Sequence, residues 1–297
     1  MRHKLYIFQV IILYLFLYLI LPRAVQAQDF PSSFLEPAVY TEALPELKVP
    51  SEIEKMILKQ KKIRSLTQLP RVRVPILMYH YVEYVTDEKD TTRALLNTYP
   101  HVLDAQIKTL KDAGYTFLTH RELTDVLNKI TILPKKPVVL TFDDGYRDFY
   151  TDAYPILLRH NVKATQYVIT GLLHDKNYMT PEQIAEVSRG GLVEIGAHTV
   201  THPWLKNGTS EFLAYEAYES KKALETLTGQ PVVSFAYPYG AFDLLTIEIV
   251  KKAGFTSAVS TIPGNMHSHD TKYFLYRIRP GISVGDEFIN YLETTKY

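Results

Sequence analysis

From Val72 to the C-terminus, short apolar runs rich in β-branched residues alternate with stretches of helical spacing, and this alternation constrains the chain more than any other feature. Strands are expected over 72–79, 138–142, 164–169, 192–197, 232–237, 257–261 and 276–279. Helices are expected over 103–113, 122–130, 153–159, 181–188, 211–227 and 244–253, several of them ended by a glycine (Gly114, Gly190, Gly229, Gly254). Strands that alternate with helices pair in parallel, because each helix carries the chain back to the edge where the previous strand began. Seven or eight such units in about 225 residues suit a closed barrel better than an open sheet. An open sheet would usually carry a glycine-rich phosphate loop after its first strand. Here that strand runs into Met78-Tyr79-His80, with no glycine nearby. The expected fold is therefore α/β, a distorted (β/α) barrel of about seven strands, with no internal repeat of fixed period.

The first 27 residues are of a different kind. Arg2, His3 and Lys4 precede Leu5 to Leu21, apolar except for Gln9, and Pro22 leads into Ala24-Val25-Gln26-Ala27. A basic start, an apolar run and a Val-x-Ala site read as a secretory signal cut after Ala27. The alternative is an uncleaved anchor that attaches the protein to the membrane through residues 5–21, since about 17 apolar residues lie at the short edge of what spans a bilayer. Both readings export the rest of the chain. Residues 28–70, with Pro31, Pro37, Pro45 and Pro50, read as a spacer carrying one short helix begun by the Ser51/Glu54 capping box. Residues 71–297 form the expected catalytic domain. The whole chain carries 33 Lys+Arg against 32 Asp+Glu; without residues 1–27, which hold three basic residues and no acid, the balance is 30 against 32. A near-neutral body with no clustered basic face argues against a nucleic-acid partner, and a monomer is expected. With no cysteine, thiol nucleophiles and Cys-ligated zinc are excluded.

In a parallel barrel, catalytic groups sit just past the C-terminal ends of the strands, and the polar residues of this chain fall there. His80 follows the first strand, Asp143 and Asp144 the second, His198 and His202 the strand at 192–197, and Pro238-Tyr239-Gly240 the strand at 232–237. Two adjacent carboxylates leaving a strand point in different directions, so one can bind a cation while the other moves a proton. A plain Asp-Asp-Gly turn fits the same residues. His198 and His202 are four apart, the spacing of paired zinc ligands on a helix, but Pro203 disfavours a helix running up to it, and a loop turning both rings inward is expected. A zinc peptidase would need Glu after the first histidine; Thr199 stands there. One Asp and two His with open positions suit Zn²⁺ or another divalent transition ion, and the spare carboxylate could serve as base in hydrolysis of an ester or amide.

Thr141-Phe142-Asp143-Asp144-Gly145, His198-Thr199-Val200-Thr201-His202-Pro203 and Tyr237-Pro238-Tyr239-Gly240, in that order, resemble the first three motifs of the polysaccharide deacetylases with a NodB homology domain, carbohydrate esterase family 4. The resemblance covers about Pro75 to the C-terminus. It implies that Asp143 is the catalytic base, that Asp144, His198 and His202 hold a divalent ion (zinc, with cobalt, nickel or iron as alternatives), that the Tyr239 N–H helps hold the oxyanion, and that a ring such as Tyr146 or Trp204 stacks on sugar. The implied reaction removes acetyl groups from an extracellular N-acetylhexosamine polymer, whether poly-N-acetylglucosamine, peptidoglycan or chitin-like. O-deacetylation of xylan or another glycan by the same groups is the alternative, as is a catalytically silent glycan-binding homologue.

The chain departs from the family pattern in three places. The arginine usually found two residues before the third-motif proline is Ala236 here, with Arg277 or Arg279 as substitutes. No Asp-x-x-x-Trp motif is present, Trp204 being the only tryptophan. No Leu-x-His follows residue 240, and Met78-Tyr79-His80 is the nearest match, displaced to the front of the chain. The first and last strands of a barrel are neighbours, so a circularly permuted chain can bring that histidine to the same place, as the poly-N-acetylglucosamine deacetylase branch does. His80 is thus the expected general acid. His101 and His120 read as helix-start residues, and His267 and His269 as part of a solvated loop.

Overall fold

The computed structural model describes residues 71–85 and 89–294; the expected signal or anchor (1–27) and spacer (28–70) lie outside the described residues. The strands are β1 Val72–Arg73, β2 Ile76–Tyr79, β3 Thr116–Leu118, β4 Pro137–Phe142, β5 Ala164–Val168, β6 Val193–Ala197, β7 Ser234–Ala236, β8 Ser257–Pro263, β9 Met266–His267 and β10 Leu275–Arg277. The helices are α1 Thr91–Leu96, α2 Pro100–Asp112, α3 His120–Leu127, α4 Tyr154–His160, α5 Pro181–Arg189, α6 Ser210–Thr228, α7 Leu244–Lys252 and α8 Gly285–Thr294. Seven strands run in the order β10-β8-β7-β6-β5-β4-β2, all parallel, and β3 adds to the lower half of β4. Ile278, just past β10, donates its N–H to the Ile76 carbonyl (2.8 Å) and accepts from the Met78 N–H (2.9 Å), which joins β10 to β2 and closes the ring. The result is the expected seven-stranded parallel barrel.

Side chains on each strand divide by parity. Ile76, Val139, Tyr167, Ala236, Val259 and Leu275 gather in one apolar cluster. Their chain neighbours Leu77, Leu140, Val168, Phe235 and Ala258, with Ile278 at the opposite parity to Leu275, join helix residues such as Leu103, Ile184, Leu213 and Ile247 in another. The first set faces the barrel interior and the second faces the helices, as a pleated strand with two buried faces requires. Helix α3 covers the N-terminal end of the barrel. His120, fully buried, joins its Nδ1 to the Tyr167 hydroxyl and its Nε2 to Ser257 Oγ (2.9 Å), and its N–H donates to Thr165 Oγ1 (2.9 Å). His120 is a helix-start residue, as read, following the N-cap Thr119.

The differences from expectation have local causes. The strand over 72–79 is broken at Pro75, which has no N–H to give to a ladder; β1 pairs antiparallel with β9, and only β2 enters the barrel. That pairing also corrects the reading of His267, which is fully buried on β9 with Nε2 against the Val74 carbonyl (2.9 Å); His269 is exposed, as expected. Helix α5 runs into Gly190 in right-handed geometry and turns at Gly191 (φ 77°) instead. Helix α8 escaped the sequence reading, although Phe288 and Leu292 are buried four residues apart, each contributing roughly 1.5–3 kcal/mol.

Candidate active site

The interior parity of each strand continues past its C-terminal end, and there it delivers polar side chains. Asp143 is the next inward position after Val139 and Thr141 on β4, and its N–H donates to the Tyr79 carbonyl (3.0 Å). Asp144 then turns into left-handed backbone (φ 74°), followed by Gly145 (φ 83°), where an added Cβ would lie 3.3 Å from Val168 Cγ1. This Asp-Gly pair, the residue types that tolerate left-handed geometry, lets consecutive carboxylates serve different partners. Both are buried.

His198 follows β6, and its N–H bonds the Val168 carbonyl (2.9 Å). His198 and His202 sit in a loop, with left-handed Thr199 (φ 69°) and His202 (φ 57°), as Pro203 led us to expect. Two sets of bonds hold that loop. Thr170 and Gly171 donate N–H groups to the carbonyls of Thr199 (3.1 Å) and Val200 (2.8 Å). Glu216 on α6, fully buried, accepts the N–H groups of Val200 (2.7 Å) and Thr201 (3.0 Å) and the Thr201 hydroxyl (2.6 Å). Glu216 was missed in the sequence, yet it carries a signal: it lies on the buried stripe of α6 with Leu213, Ala217, Ser220 and Leu224, where an acid needs a reason.

The two Nε2 atoms lie 3.3 Å (His198) and 3.4 Å (His202) from Asp144 Oδ1. Donors on a tetrahedral ion at about 2.1 Å would be spaced at about 3.4 Å, and all three donor atoms here lie within 4.8 Å of one another, so this set can hold one divalent transition ion. The remaining ring nitrogens are tied: His198 Nδ1 to the Ala236 carbonyl (2.8 Å) and His202 Nδ1 to the Tyr239 hydroxyl (3.1 Å). Such bonds fix the rings so that Nε2 faces the ion. Burial, with His198 nearby, lowers the His202 pKa to about 4, which keeps that ring neutral and able to ligate.

Arg277, the next inward position of β10 after Leu275, grips Asp143 with two parallel bonds of 2.7 Å, and further donates to the Ser260 carbonyl (2.8 Å) and Thr141 Oγ1 (3.2 Å). Burial opposes ionisation of Asp143, but this guanidinium outweighs it and holds the carboxyl well below its usual range. Of the two candidate substitutes for the family arginine, the structure brings Arg277 to Asp143. Ala236 lies among the interior apolar residues instead. His80, the inward residue beyond β2, places Nε2 3.9 Å from Asp143 Oδ2, and its buried Nδ1 has no partner among the described residues. Burial lowers its pKa against the pull of Asp143 and Asp144.

Tyr239 sits in left-handed backbone (φ 58°) with a ring 60% exposed, 4.6 Å from the His202 ring and 6.1 Å from that of Trp204, which is equally exposed. Tyr146 is differently placed: its ring stacks on Tyr81 (3.9 Å) and tilts against Tyr178 (5.0 Å). Of the two rings considered for sugar stacking, Trp204 is the one left open.

Comparison with known proteins agrees with this geometry. Residues 131–258 match the family model described as polysaccharide deacetylase, a span that holds both aspartates and both histidines but neither His80 nor Arg277. The chain is 33% identical over 226 residues to the Bacillus subtilis protein YxkH, assigned to the polysaccharide deacetylases, covering 75% of this chain and 77% of that protein. It is 28% identical over 221 residues to a poly-beta-1,6-N-acetyl-D-glucosamine N-deacetylase of Staphylococcus aureus, covering 70% and 75%. Among solved structures, the Streptococcus pyogenes deacetylase PplD in complex with acetate superposes with a TM-score of 0.69 at 33% identity, over 77% of this chain and all of that one. IcaB from Ammonifex degensii gives 0.64 at 26% identity, over 74% and 96%.

Proposed function

The chain belongs to the polysaccharide deacetylase family, and from that premise we propose that it hydrolyses the N-acetyl amide of an extracellular hexosamine polymer with Asp143 as base and His80 as acid. The observation that carries the reading is the pairing of an Arg277-held carboxylate with a separate three-ligand set that can hold one ion. A divalent ion held by Asp144, His198 and His202, zinc foremost by its ligands, would supply a Lewis acid for the acetyl carbonyl and an acidified water. Asp143 takes the proton of the attacking water; its carboxylate is ionised across the neutral range and aimed by Arg277. His80, at the end of β2 between the strands that carry Asp143 and Arg277, gives a proton to the departing amine. The Tyr239 N–H, which donates to no described residue, is free to hold the oxyanion. Trp204 offers an exposed ring to the sugar.

Ala236 and the absent fifth motif suggested a silent homologue, but a buried arginine and a histidine reach Asp143 from other strands, so the missing motifs do not leave the base unsupported. The S. aureus relative's named activity supports N-acetylglucosamine as the sugar whose acetyl group is removed. Export through residues 1–27 accords with such a polymer and is checked by N-terminal sequencing of the mature protein. The deciding assay is acetate release from N-acetylglucosamine oligomers, run beside acetylated xylan. We expect release from the former, abolished by a chelator and by Asp143→Asn; no release from any acetylated glycan overturns the proposal.

A further inference from the structure

We propose that Arg279 determines specificity: its guanidinium binds an oxyanion, a carboxylate or a phosphodiester, carried by the glycan next to the acetylated sugar. The inference rests on the deacetylase reading of the site. It begins from strand parity. Arg277 points inward to Asp143, and Ile278 points outward while its backbone pairs with Ile76 and Met78. Arg279 therefore takes the next inward register, about 6.6 Å nearer the barrel mouth than Arg277 and level with Met78 on β2. His80 and Asp143 stand one inward position further out, just past β2 and β4, within range of its charge.

Arg279 differs from Arg277 in how its charge is met. Arg277 is buried and fully paired, whereas Arg279 is exposed and its side chain makes no hydrogen bond or ion pair with any described residue. The charges that act on it are Arg277, which repels it, and Asp143, both of whose oxygens are already taken by Arg277. Partial desolvation of the guanidinium and that repulsion pull its pKa down, so the cation is held where an arriving anion would relieve it. Arg93, which lies over the Tyr81 ring, is already paired with Glu83 and Asp90. A neutral hexosamine chain offers only hydroxyl and amide groups to a guanidinium, while a carboxylate or phosphate matches its fork with two charge-assisted bonds.

The sole tryptophan, Trp204, lies beside the site and provides the reporter. Stopped-flow quenching of Trp204, read before turnover on the metal-loaded protein, gives Kd for three oligosaccharides of equal length: neutral N-acetylglucosamine, one bearing a lactyl carboxylate on the adjoining sugar, and one bearing a phosphodiester there. We expect the wild type to bind one acidic oligomer about tenfold more tightly than the neutral one, or better, equivalent to about 1.4 kcal/mol. The preferred arm names the source of the oxyanion. Arg279→Gln should bring the acidic-to-neutral ratio close to one, Arg279→Lys should keep part of it, and added salt should lower it. Equal binding of all three by the wild type, or an unchanged ratio in Arg279→Gln, overturns the proposal. An intact ratio without acetate release from any oligomer would support the anion site and sink the deacetylase reading instead.

Discussion

Replacing Arg277 by methionine tests whether that residue is the working partner of the Asp143 carboxylate or only a filler of the barrel. Methionine keeps much of the volume, so the cavity cost is small and the electrostatic cost dominates. The change deletes four hydrogen bonds and leaves Asp143, 3% exposed, as a buried carboxylate without its counter-charge. Breaking a buried pair on one side costs about 3–5 kcal/mol. Asp143→Asn also breaks the pair, though Arg277 retains the Ser260 carbonyl and Thr141 hydroxyl, so its cost should be smaller. Because both single changes remove one and the same interaction, the double variant should be more stable than additivity predicts by about 2–3 kcal/mol. Urea unfolding of the four proteins measures the cycle, and acetate release measures the chemistry. Activity should fall by about 10²-fold or more in Arg277→Met, within the range a general base supplies, and should not return in the double variant. If the two stability losses simply add, to within about 0.5 kcal/mol, the bidentate pair is not what holds Asp143 and the reasoning fails.

Three other changes probe the supports of the site. Glu216→Gln removes the charge from a carboxylate that takes three bonds from the histidine loop; metal affinity, measured by competition with a chromogenic chelator, should weaken about 10–100-fold, and an unchanged affinity would show that the loop holds itself. In Gly171→Ala the new Cβ would stand 2.5 Å from the Val200 carbonyl, so the same loop must shift and activity should fall together with a lower melting temperature, whereas wild-type values for both would refute the contact. Asp148 is a buried carboxyl that accepts the Val82 N–H (2.7 Å) while its Oδ1 has no partner, and burial raises its pKa from 3.8 to about 7. Since the folded value lies above the unfolded one, its contribution is fully present below about pH 4 and is lost as pH rises to about 7, by up to about 4 kcal/mol. Asp148→Asn should flatten that slope in urea midpoints taken from pH 4 to 8; parallel curves for the two proteins would contradict it.

Much of this site was legible because strand ends announce themselves. An apolar β-branched run followed by Asp-Asp-Gly, or by two histidines and a proline, places polar groups where a parallel barrel gathers them, and the structure brings Asp143, Asp144, His198 and His202 to one point. What pattern reading left open is what pairing decides. His267 looked like a loop residue because two-residue strands such as β9 carry no periodicity, and only its antiparallel partner β1, itself split from β2 by Pro75, buries it. Arg277 and Arg279 were interchangeable in sequence for a related reason: both have inward parity on the same strand, two residues apart. The Ile278 bridge to Ile76 and Met78 sets how far each reaches. It sets Arg277 level with Ile76, from where its long side chain passes Thr141 and grips Asp143 from below, and leaves Arg279 one inward position higher without a partner among the described residues. A shift of two residues inward in that one pairing would put Arg279 in the place of Arg277 and carry Arg277 one inward position deeper, away from Asp143. The closure of the barrel, more than any motif, therefore fixes which arginine serves the reaction and which is left to meet the substrate.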